Sequence, residues 1–117
     1  MRHKVEGKKF NRKTGQRRAF MRGLANNVIK KGRIETTVVR AKAIRPVVER
    51  AVTLAKKQDL ASRRLLLSRF HDKAVVSKLV DDLGPRYKDR NGGYTRIMKT
   101  GKLRKRDGVE TAIIEFV

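Results

Sequence analysis

An α+β domain is predicted by three features of this chain. Apolar residues recur at helical spacing through most of residues 16–83, β-branched and alternating stretches occupy 33–37 and the last quarter, and Gly, Pro and Asp punctuate the intervals. The expected architecture has two layers, a small mixed three-stranded sheet covered on one face by about four helices, with an extended basic N-terminal arm. A chain of 117 residues has room for one core of modest size.

The arm is read as residues 1–13, and residues 14–117 as a single domain. Residues 1–22 hold nine Lys or Arg against one acid, Glu6. As far as Lys13 there is no helical or alternating apolar period, and Met1, Val5 and Phe10 are too few to offset the entropy of ordering the segment. Such a stretch is expected to order against a polyphosphate surface, releasing condensed counterions as each cation meets a phosphate. The alternative is a solubilising tail.

Thr14 is placed to cap a helix over 16–31, in which Phe20, Leu24 and Val28 with Met21, Ala25 and Ile29 form one apolar stripe. Lys30 and Lys31 suit its negative end and Gly32 its left-handed cap. Arg17, Arg18 and Arg22 fall mostly off the stripe and extend the basic surface of the arm; the plain alternative is a solvated helix face. Arg33 to Thr37 alternates around Ile34 as a short strand. Thr37 then caps a second helix, reaching Lys57, whose core face is Ala41, Ile44, Val48, Ala51, Val52 and Ala55. Pro46 lies inside that pattern and predicts a kink or two helical pieces, because it removes a donor and crowds the preceding turn.

Asp59 caps a third helix, 60–70, and Asp72 a fourth with a stripe of Val75, Val76, Leu79, Val80 and Leu83; Gly84-Pro85 is the expected stop. Residues 86–91 read as a polar loop. A strand over 94–99, a basic turn over 100–108 and a strand over 109–117 make an antiparallel hairpin, the last strand apolar enough on both faces to sit centrally.

Charge sets the function class. There are 32 Lys or Arg against 11 Asp or Glu, a net charge of +21. The first 58 residues carry 18 cations against 3 acids and the rest 14 against 8, so the excess lies toward the front. Self-repulsion of this size points to a permanent anionic partner. Cysteine is absent, which excludes disulfides, thiolate metal sites and a cysteine nucleophile. No apolar run approaches a membrane span, the first residues lack a signal-peptide core, and Glu6, Gly7 and Gly15 spoil the amphipathic helix of a transit peptide. The expectation is a cytoplasmic protein with no membrane partner.

Nothing in the sequence argues for catalysis, a metal or another cofactor. His3 and His71 lie far apart, Asp81-Asp82 are helix neighbours that do not face each other, and no phosphate-cradling glycine loop or nucleophile elbow occurs. No small-molecule substrate is expected. A second basic cluster is more informative: from Lys88 to Arg106 there are eight Lys or Arg and one acid, interrupted by Gly92-Gly93-Tyr94. A glycine pair lets the backbone approach a ribose or phosphate, and a tyrosine offers a face for a base. The alternative leaves the glycines to strand entry and packs Tyr94 on the helix layer. Lys102, Arg104, Lys105 and Arg106, at the expected hairpin tip, are harder to explain as packing, and Asp107-Gly108 supplies turn chemistry.

A set of short matches runs the length of the chain: Met1-Arg2-His3, Asn11-Arg12, Arg17-Arg18 with Arg22, Thr36-Thr37, Lys42, Leu54-Ala55-Lys56, Asp59-Leu60 with Arg63-Arg64, Gly92-Gly93-Tyr94-Thr95-Arg96-Ile97, Asp107-Gly108 and Ile114-Glu115-Phe116-Val117. Together they resemble the bacterial ribosomal protein L17 family of the large (50S) subunit. The resemblance implies a structural constituent of that subunit that binds large-subunit (23S-type) ribosomal RNA near the exit of the peptide tunnel, beside neighbouring ribosomal proteins, and takes part in translation. The RNA contacts it implies are Arg2, His3, Lys4, Asn11, Arg12, Arg17, Arg18 and Arg22, then Gly92, Gly93, Tyr94, Thr95 and Arg96. Charge adds Lys8, Lys9, Lys13, Arg90, Lys99, Lys102, Arg104, Lys105 and Arg106. Thr14-Gly15-Gln16 and the strongly basic 102–106 depart from the family pattern. A DNA-compacting protein is the rival in the binding class, but no recognition helix or ribbon arm supports it. A small nuclease would need convergent acids or a histidine pair, and a membrane-surface helix would show a broader apolar face with Trp.

Overall fold

In the computed structural model, which describes residues 13–117, the first element is helix α1, Thr14–Lys31. Ala25, Val28 and Ile29 are its buried residues, and Gly32, at φ 79°, closes it with its N–H on the Val28 carbonyl. The cap expected of Thr14 is not made: Thr14 is already helical, and the extended Lys13 before it has no capping side chain. The first turn is closed instead by the Arg17 N–H on the Lys13 carbonyl, 2.7 Å.

Strand β1, Arg33–Thr37, leads directly into α2, Val38–Ala55, and the Thr37 hydroxyl accepts from the Arg40 N–H at 3.2 Å. α2 is the centre of the fold. It buries Ala41, Ile44, Val48, Ala51, Val52 and Ala55 against the other helices and the sheet. Pro46 does not split it. Pro46 and Lys42 are both exposed, so the carbonyl that loses its donor lies on the wet side, where water replaces the bond.

Asp59 and Asp72 cap the next two helices as the sequence predicts. The Asp59 carboxylate accepts from the Ser62 N–H at 2.7 Å at the start of α3, Leu60–Phe70, and hydrogen bonds from Ser62 hold its pKa below the usual value. Asp72 accepts from the N–H groups of Ala74 and Val75 ahead of α4, Lys73–Lys78. It also takes an ion pair from Lys30 at 2.7 Å, the main cause of its lowered pKa, which ties the end of α1 to the start of α4.

The expected stop at Gly84-Pro85 is corrected. The chain stays helical through a π-helical segment, Leu79–Leu83, and a last turn, α5, Gly84–Arg86. Gly84 has ordinary helical angles, and its N–H reaches back five residues to the Leu79 carbonyl. In that wider register Pro85 has no N–H to give the Val80 carbonyl, and the Gln58 side-chain amide supplies it, at 2.8 Å, while also donating to Ala55 at 2.9 Å. A proline is tolerated here because a side chain from another turn makes the missing bond.

Strands β2, Thr95–Leu103, and β3, Glu110–Phe116, complete a sheet of order β1-β3-β2. The α+β class and the central place of the last strand stand. The mixed sheet is corrected, since both pairings are antiparallel. β1 and β2 do run parallel, but β3 lies between them and no ladder joins them. Ile34, Ile114 and Ile97 are paired across the three strands and face the helices, where Ile114 and Ala112 are fully buried. On the other face Glu115 stands between Arg96 at 2.7 Å and Arg33 at 3.6 Å.

β2 runs farther than expected, so Lys102 lies in the strand and not in the turn. A register shift between Lys99 and Leu103 contains Gly101, at φ 76°, the position where an inserted residue needs left-handed angles. At the tip Gly108, φ 66°, donates to the Arg104 carbonyl as the turn chemistry predicts. Asp107 accepts from Arg104 and from the Val109 N–H, and the Arg104 guanidinium is the main reason its pKa falls from 3.8 to about 2. Because the folded value is depressed, the tip gains from this carboxylate above about pH 4 and loses it as pH falls toward 2. A side-chain carboxyl NMR titration is expected to show Asp107 titrating at about 2, and Arg104→Ala to return it toward 3.8.

Candidate nucleic-acid interface

Helical spacing places Arg18 and Arg22 on one edge of α1, and Lys42, Pro46 and Arg50 in a row on the exposed side of α2. Where the two helices meet the end of α3 they border a groove of about 820 Å³. Its cations are Arg17, Arg18, Arg22, Lys42, Arg50 and Arg69; its apolar lining is Met21, Ala43, Pro46, Val47, Ala51 and Phe70. No acid lines it. None of these six cations is in an ion pair among the described residues, whereas Arg33, Arg45, Arg63, Arg86, Arg96 and Arg104 each have an acidic neighbour. The Nε of Arg22 is buried without a hydrogen-bond partner among the described residues.

A second cleft, about 490 Å³, shares Pro46, Arg50 and Arg69 with the first and runs on past Thr53 and Lys57 to Gly92 and Tyr94. The folded part of the front cluster and the mouth of the second one therefore lie along one surface. α2 joins them. Gly92, φ 147°, and Gly93, φ 62°, have open space where a side chain would stand, so their backbone is accessible to a ligand.

The structure divides the expected contact residues. Arg2, His3, Lys4, Lys8, Lys9, Asn11 and Arg12 lie outside the described residues; Lys13 is exposed at the entrance to α1. Arg17, Arg18 and Arg22 border the groove, and Gly92 the second cleft. Lys102, Lys105 and Arg106 are exposed and have no ion pair among the described residues, while Lys99 lies 4.0 Å from Glu110 and Arg104 is held by Asp107. Arg90 is exposed, donates to the Gly92 carbonyl and receives Lys56 on its own.

Tyr94 and Thr95 are corrections. Tyr94 is 1% exposed, with its ring 5.3 Å from that of Tyr87 and the Lys56 ammonium 5.2 Å over its face, so that face is not open to a base. Burial pushes its pKa up, but hydrogen bonds from Thr53 and Lys56 outweigh this and the net shift is downward. The Thr95 hydroxyl and amide both donate to Glu49, at 2.7 and 3.2 Å, and Arg45 donates to the Thr95 carbonyl. The two residues anchor the glycine loop to α2, and the open backbone of the loop is that of Gly92 and Gly93. Tyr94→Phe, which leaves Lys56 and Thr53 without their shared oxygen, is expected to cost about 1 kcal/mol in urea denaturation.

The reading by charge clusters missed Arg50, Lys57 and Arg69, and Lys42 entered only through the resemblance. Their signal was weak: Lys42, Arg50 and Arg69 each have only neutral or acidic immediate neighbours, Lys57 has only Lys56 beside it, and the row 42, 46, 50 on the wet side of α2 marks Lys42 and Arg50 alone. Among the described residues no group of three or more His, Asp or Glu side chains gathers as a metal site requires.

Comparison with known proteins bears on the same chain. Residues 20–117 match the family described as Ribosomal protein L17. The chain belongs to the ribosomal protein L17 family. The Large ribosomal subunit protein bL17 of Thermodesulfovibrio yellowstonii is 50% identical over all of this chain and 87% of its own length. Those of Sphingopyxis alaskensis and a Hydrogenobaculum species are 53% and 52% identical, again over all of this chain, and over 84% and 99% of their own lengths. As an L17 family member the chain is a structural ribosomal protein and not an enzyme. α2 and Arg69 lie within the L17 match, so Lys42, Arg50 and Arg69 of the groove belong to the family region of the fold.

Proposed function

We propose that this chain is a structural constituent of the large ribosomal subunit, where it binds large-subunit ribosomal RNA and stabilises its folded form near the exit of the peptide tunnel. The observation that carries this is the groove of six cations with neither an acid nor an internal ion pair among the described residues, joined along α2 to the glycine loop. Six cations gathered in one groove with no acid among them suit closely spaced phosphates. Residues 1–13 act as the arm that continues this surface, entering α1 one turn ahead of Arg17, and residues 14–117 act as the unit that docks by shape. The position near the tunnel exit and the neighbouring ribosomal proteins as partners follow from the family resemblance. The place of action is the cytoplasmic ribosome.

Filter binding to a large-subunit RNA fragment across a salt series tests the reading. A plot of log K against log salt with a slope of about −5 or steeper is expected, along with preference for that RNA over duplex DNA. A flat salt dependence, or equal competition by the DNA, would defeat it.

A further inference from the structure

The groove has more apolar surface than a track for phosphates needs. A duplex backbone meets a protein by its convex phosphate edge, so it would touch the arginines at the rim and leave Met21, Pro46 and Val47 facing water. An apolar concavity with charged groups around it is instead the build of a pocket for a small planar group. Arg22 lines the groove, and its guanidinium presents donors in a fixed planar fork that matches the edge of a base. The volume, about 820 Å³, is ample for one nucleotide. Unpaired bases are also the part of folded RNA that proteins most readily take into pockets.

We propose that the α1–α2 groove takes one unpaired nucleotide of the RNA. Its base lies against Met21, Pro46 and Val47, its flanking phosphates meet Arg50 and Arg69, and the terminal N–H groups of the Arg22 guanidinium donate to a carbonyl oxygen or ring nitrogen on the base. The proposal rests on the RNA-binding reading above and adds what the groove distinguishes. Charge complementarity favours a nucleotide over this chain's own first twelve residues, which carry five Lys or Arg and one acid and would be repelled by the rim.

The test is fluorescence anisotropy with a perfect blunt-ended RNA duplex of two strands and four versions carrying a single bulged A, C, G or U, all at one salt concentration. At least one bulged duplex is expected to bind the full chain about tenfold or more tightly than the perfect duplex. Two variants remove the proposed contacts. Arg22→Lys keeps the charge but loses the guanidinium's planar fork of donors, and Val47→Trp fills the groove without touching a charge; each is expected to bring the ratio of bulged to perfect affinity to about one. Thermal melts confirm folding, and if Val47→Trp fails to fold, Arg22→Lys decides alone. Equal affinity of the unmodified chain for all five RNAs overturns the proposal while the RNA-binding reading survives. Discrimination that persists in the folded variants, or an acidic peptide binding as tightly as the best bulged duplex, also overturns it. Absence of binding to every RNA would remove the underlying reading, and the proposal with it.

Discussion

Substitution of Lys42, Arg50 and Arg69 together by alanine is expected to lower affinity for large-subunit ribosomal RNA by about 10²–10³-fold and to flatten the slope of log K against log salt by about two to three units. These three cations come from two different helices and converge on one groove without an acidic partner. Removing them therefore breaks no ion pair, and the melting temperature is expected to hold or rise as self-repulsion falls. Filter binding over a salt series measures both quantities. The control is the triple replacement of Arg63, Arg86 and Arg104, which removes the same charge from residues already beside Asp81, Asp82 and Asp107. An equal loss of affinity in the control would mean that total charge governs binding and the groove has no special part.

The largest effect on stability is expected from Gly84→Ala. A β-carbon at residue 84 would stand 2.9 Å from the Ala55 carbonyl oxygen and 2.8 Å from the Gln58 side-chain nitrogen. Gln58 could swing aside only by giving up its bonds to both Ala55 and Val80, and the Ala55 carbonyl is backbone at the end of α2. Alanine would favour the helical angles of Gly84 by ~1 kcal/mol. The clash outweighs that gain, and a net loss of roughly 2–4 kcal/mol is expected, a fall in melting temperature of about 10–20 °C. Urea denaturation reads the change; a variant as stable as the parent would show that α2 and α5 part without cost.

Much of this fold could be read from local signals. Thr37, Asp59 and Asp72 each precede an apolar helical period with an oxygen that can reach the first free amides, and each makes that cap. Gly32 and Gly108 adopt the left-handed angles for which a glycine is needed. These signals are legible because cause and effect lie within three or four residues of each other. Thr14 failed as a cap although its type was right, because the chain was already helical there.

The site was less legible. Tyr94 sits in a basic, glycine-flanked stretch that suits a stacking residue as well as a core one. Only the approach of Thr53 and Lys56, some forty residues earlier, settles where its ring goes. Gly84 looks like a stop signal, yet its small size serves the passage of α2, and Gln58 makes the bond that Pro85 cannot.

The composition and periodicity of this chain by themselves determined an α+β domain, the order of its helices with the caps at Thr37, Asp59 and Asp72, and a strongly cationic protein. These follow from charge and from spacings of a few residues, which any chain conformation must respect. The tertiary structure alone decided which cations are left open and which are matched. It set Glu115 between Arg33 and Arg96, turned Arg104 onto Asp107, and brought Arg22, Arg50 and Arg69 to one acid-free groove. The physical reason is that ion pairing and cavity shape depend on distances of a few ångströms between residues far apart in the chain, and only the packing of α1, α2 and α3 supplies those distances.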